Sequence, residues 1–132
     1  MPNDSDHIIF SSTAFPIVPG EDAHTNPGVF GTSLATWLAT ELRAKYTVED
    51  EFIPEGFGYL VNVQFPKGSV YVVCTSTDEN ADEWRVFTLI DGGIFRKLLN
   101  RMVSIEERDE VFKFVREKVI AHPGTTAWED DC

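Results

Sequence analysis

Apolar residues fall at Phe30, Leu34, Leu38 and Leu42, every fourth position, and Ala35 and Trp37 widen the stripe. That spacing gathers them on one face of a helix, and the rest of the chain has to cover that face. Asn26 and Pro27 precede the stripe and read as its start. An Asn side chain accepts from backbone N–H groups left without partners in a first turn, and Pro at the first helical position gives up no needed donor. Arg43 and Lys45 at the far end suit the negative pole of the helix dipole. A helix from residue 27 to 45 is therefore predicted.

Elsewhere the period shortens to two. Residues 7–13 are β-rich, and residues 46–54 read as a second strand, which Pro54 ends and places near a sheet edge. Tyr59, Val61, Val63 and Phe65 alternate with Leu60, Asn62 and Gln64, the pattern of a strand with one buried face. Pro66-Lys67-Gly68 then turns the chain into another strand over 69–75, making the clearest hairpin. Residues 84–90 form a further strand, with apolar positions on both faces for part of its length. Helical spacing returns over 94–102 and again after Ser104. There Glu107 stands three positions on, the separation of a capping box.

Val111, Phe112, Val115, Val119 and Ile120 line one side of this last helix, together with Ile105, and His122-Pro123-Gly124 ends it. The tail from Thr125, which holds Trp128, either docks as a strand or stays loose. The order β-α-β-β-β-β-α-α points to an α+β fold, a four- to five-stranded, mostly antiparallel sheet with three helices on one face.

Size and charge narrow the function. A chain of 132 residues with 42% hydrophobic content fits one domain with a single core. No apolar run approaches the roughly 20 residues that span a bilayer. Residues 1–6 lack the basic start and apolar core of a signal peptide, so a cytoplasmic location is expected. Cys74 lies in an apolar strand and Cys132 in the tail, an arrangement that favours two free thiols over a bridge. The net charge of −11 argues against nucleic acid or an anionic membrane as partner and permits a basic protein partner.

Motifs for catalysis are sparse. His7, His24 and His122 are the three histidines, and none stands in a recognised nucleophile, phosphate or zinc motif. No catalytic residue, metal ligand set or cofactor is assigned. Glu21, Asp22, His24 and Asn26 could together line a small pocket beside the sheet, the reading of a ligand-binding protein or small enzyme. The alternative is a solvated turn whose acids sit before a helix N-terminus.

Two acidic runs lie beside aromatic residues: Glu49, Asp50 and Glu51 near Tyr46 and Phe52, and Asp78, Glu79, Asp82 and Glu83 next to Trp84. Acids around an apolar anchor suit a basic partner, because the anchor supplies affinity and the charge supplies association rate. The reading that follows is a non-enzymatic acidic binding module, with self-association as a further possibility.

Pro19-Gly20-Glu21-Asp22, Asn26-Pro27-Gly28, the helix around Leu34 and Trp37, and Ile53-Pro54-Glu55-Gly56-Phe57-Gly58-Tyr59 together resemble a set of small uncharacterised bacterial proteins. The resemblance spans residues 7–65 and implies no activity that assigns a role to a residue. In size, charge and class the chain also resembles toxin-neutralising immunity proteins. That likeness is one of type.

Overall fold

A computed structural model describes residues 7–77, 82–90 and 104–131. The strands are β1 (His7–Ser12), β2 (Thr47–Val48), β3 (Ile53–Glu55), β4 (Gly58–Phe65), β5 (Gly68–Ser76), β6 (Glu83–Ile90) and β7 (Thr125–Asp131); the helices are α1 (Thr32–Arg43) and α2 (Ile105–Ala121). All seven strands join one antiparallel sheet in the order β2-β4-β5-β6-β1-β7, with β3 paired to β4 beside β2. The α+β class matches expectation and the sheet is larger than expected. The helix expected over 94–102 lies outside the described residues, as does Cys132.

Register explains the core. Ile8 and Phe10 of β1 stand opposite Val86 and Trp84 of β6, Cys74 and Val72 of β5 face Val86 and Thr88, and Tyr59, Val61 and Val63 of β4 face Cys74, Val72 and Val70. Cross-strand partners point to the same side of a sheet, so these residues build one apolar face. Onto it pack Leu34, Leu38 and Leu42 of α1 and Val111, Val115 and Val119 of α2, all fully buried. Both helices lie on this face, as their stripes require. The hairpin is as read: Phe65 pairs with Gly68 across Pro66-Lys67.

Two boundaries differ from expectation at the strands. The single strand predicted over 46–54 is two short pieces. Val48 faces Val63 while Ile53 faces Leu60, so five steps along the edge match three along β4 and two residues are looped out. The acidic run 49–51 occupies that loop, where charged side chains reach water. The tail docks: six residues of β7 pair with β1, and a register shift between Ser11 and Ser12 leaves Thr126 out of the ladder.

The helix starts differ too. α2 begins as read, with Ser104 Oγ accepting from the Glu107 N–H at 3.0 Å and the Glu107 carboxylate accepting from the Ser104 N–H at 2.8 Å. Ile105, placed on the apolar side, is exposed, whereas Arg108 is 2% exposed and holds Asp109 at 3.1 Å. α1 begins at Thr32, five residues after Pro27, and its cap comes from outside its own sequence.

Candidate functional site

The cap of α1 decides what the acidic loop can do. Residues 21–23 form a single 3-10 turn that turns the Glu21 side chain inward, where the residue is only 7% exposed. Its Oε1 accepts from the N–H groups of Gly31 at 2.7 Å and Thr32 at 2.9 Å, and its Oε2 accepts from Val18 N–H at 2.6 Å. A carboxylate at that point satisfies orphan donors and meets the positive end of the helix dipole. The Tyr59 hydroxyl donates to the Glu21 carbonyl, and burial together with the Glu21 and Asp22 charges raises the phenol pKa.

Asn26, expected as the cap, instead sits in a turn: its N–H donates to the Gly56 carbonyl at 2.9 Å, and its own carbonyl accepts from Val29 at 3.0 Å. Asp22 accepts from Gly28 N–H at 3.0 Å. His24 is exposed and makes no hydrogen bond or ion pair among the described residues. The convergence that a pocket of Glu21, Asp22, His24 and Asn26 requires is therefore not present: the two carboxylates are occupied by backbone N–H groups. Among the described residues no three His, Cys, Asp or Glu side chains gather as a metal site.

Of the two acidic runs, the first is partly engaged. Glu49 accepts from the Gln64 amide, and Asp50, fully exposed, lies 3.8 Å from Arg43. An exposed pair at that distance contributes little, and Glu51 stays in solvent. In the second run Asp78 and Glu79 fall outside the described residues, and Asp82 is exposed. Trp84 is no surface anchor. It is 1% exposed, its indole N–H donates to the Ser12 carbonyl at 3.2 Å, and Phe15 packs edge-on against it. The bulge and Glu83 are three strand spacings apart across the sheet, about 14 Å, so the described acids of the two runs do not form one cluster.

The structure gathers a different set. On the sheet face away from the helices, Ser11 of β1 stands between Glu83 of β6 and Ala127 of β7, and Ile9 faces Glu129 of β7. These residues line a shallow groove over β1, with Glu83 and Glu129 on its flanks and small or apolar residues along its floor; Arg85, next along β6 on this face, stacks on Phe87. Thr77 donates to the Glu83 carboxylate from the adjoining turn. At the same edge Trp128 is 44% exposed, with the Arg116 guanidinium 5.1 Å from its ring centre.

Trp84 and Trp128 both stand opposite Phe10, one on each side of β1. A central strand buries the first and an edge strand leaves the second open. Sequence periodicity treats the two alike, and only strand order separates them.

No protein-family model, curated protein or solved structure matches this chain. Among the described residues, no helix is long and apolar enough to cross a membrane.

Proposed function

We propose that this protein is an acidic binding module for a basic protein partner, acting as an inhibitor or immunity-type protein and not as a catalyst. The observation that carries the reading is the distribution of its carboxylates. Those of the 21–26 loop are occupied inside the fold, whereas Glu83 and Glu129 flank an open groove on the face away from the helices, and half-exposed Trp128 stands on the other face of the same edge strand. Net charge of −11 then acts over the whole surface, drawing a cation-rich partner toward that edge. The groove replaces Trp84 as the anchor point, and the 49–51 bulge supplies long-range charge from the opposite edge.

The test is affinity capture from a lysate of the source organism, with wild type and the Glu83→Lys/Glu129→Lys double variant run side by side. The reading predicts a basic protein held by wild type at low salt, released at high salt and lost by the variant. A retained protein that ignores both salt and the variant would contradict it.

A further inference from the structure

The two edges of the sheet are built oppositely. At one edge β2 and β3 are two and three residues long, Pro54 removes a backbone donor, and the 49–51 loop pushes charged residues out of line. Short length, proline and a bulge are the features that stop a further strand from adding to an edge. The other edge is long and free of proline, and its single bulge, at Thr126, lies at the start of the strand. β7 runs seven residues, pairs with β1 without interruption from Ala127 to Asp131 and contains no proline, glycine or lysine. Its outer side has no strand partner among the described residues, and residues 126–129 are exposed.

We propose that β7 is a docking edge, and that its occupant is an extended, lysine- or arginine-rich segment of the partner that adds to the sheet as an eighth strand. Main-chain hydrogen bonds to the outer side of β7 hold such a segment, and side chains at alternate positions select it. Selection for base follows from Glu129 in the strand, with Glu83 on β6 adding charge from two strands inward. A second copy of this chain is disfavoured because it carries the same net charge of −11. The exposed ring of Trp128 offers an apolar contact within the same strand. This inference rests on the acidic-module reading and specifies its mode of contact.

The probe is a synthetic ten-residue peptide of alternating lysine and threonine, titrated into the isotope-labelled full chain and followed by amide exchange. The expected result is slowed exchange within residues 125–131 and an affinity at least tenfold weaker for the Glu83→Lys/Glu129→Lys variant. Two further peptides, N-methylated at the even or at the odd amides, keep every charge and remove the donors of one edge each. Strand addition predicts that one of them loses binding by tenfold or more while the other keeps it.

Equal binding by both methylated peptides would overturn strand addition and leave the acidic-module reading standing. Protection centred on residues 47–55 would overturn the choice of edge. If neither this peptide nor a basic protein from the lysate binds, both readings fall.

Discussion

Removing the Glu21 carboxylate tests how the first helix is held. The side chain accepts three N–H groups at 2.6, 2.7 and 2.9 Å, two of them the orphan donors that open α1. Hydrogen bonds to a charged group contribute roughly 1.5–3 kcal/mol each, and a lost helix cap typically costs about 1 kcal/mol. The three bonds share one group and water can enter after truncation, so their values do not add in full. For Glu21→Ala we expect a loss of about 3–4 kcal/mol, a large part of the 5–15 kcal/mol typical of a domain.

Glu21→Gln separates charge from shape. Its amide oxygen can still serve Gly31 and Thr32, but its NH2 group then meets the Val18 N–H, donor against donor. We expect a loss of about 1–2 kcal/mol. Urea unfolding followed by far-UV circular dichroism measures both losses, with an unchanged m-value confirming that the unfolded surface is the same. Amide exchange at Gly31 and Thr32 should quicken in both variants. An Ala variant within 0.5 kcal/mol of wild type would refute the assignment of this carboxylate as the cap.

Three further outcomes follow from the same geometry. A Cβ at Gly31 would lie 2.4 Å from the Cys74 carbonyl oxygen, a backbone atom that cannot swing aside, so Gly31→Ala should cost about 2–3 kcal/mol in the same unfolding assay. Burial shields Cys74 and pushes its thiol pKa well up, so in a Cys132→Ser background an aromatic disulfide reagent at pH 8 should find no thiol in native protein and one after denaturation. The Tyr46 hydroxyl donates to Glu110 at 2.6 Å and, with Lys45, holds that carboxyl below its usual range. This contact contributes stability above the unfolded-chain carboxylate pKa and loses it as pH falls through the lower folded value. Tyr46→Phe should therefore raise the Glu110 pKa in a carboxyl-detected NMR titration and remove that part of the acid limb. An unmoved titration would refute the contact.

The sequence carried local information well and long-range information poorly. The Ser104–Glu107 box, the hairpin turn at Pro66-Lys67 and the Leu34, Leu38, Leu42 stripe are set by residues within a few positions of one another, and each is present. Asn26-Pro27 failed as a helix start because a carboxylate ten residues before Gly31 does the capping, which leaves no trace in local spacing. The same limit governed the site. Trp84 and Trp128 carry equivalent pattern signals, and their fates divide because β6 is central and β7 is last in the sheet. Glu83 and Glu129 are 46 residues apart in sequence and meet over one groove only through β1. The short, acidic segment 46–54 read as one strand because its two looped-out residues are polar and do not interrupt the apolar alternation visibly.

The central claim is that acids at the β7 edge draw in a basic partner. The most direct measurement is the association rate of the captured partner across ionic strengths, for wild type and for the groove and bulge charge reversals. We expect the wild-type rate to fall steeply with salt, and Glu83→Lys/Glu129→Lys to lower it by about tenfold or more at low salt. Glu49→Lys/Asp50→Lys/Glu51→Lys should slow association less, because that run lies at the far edge and is partly paired. A rate that is flat with salt and the same in all three proteins would contradict the account.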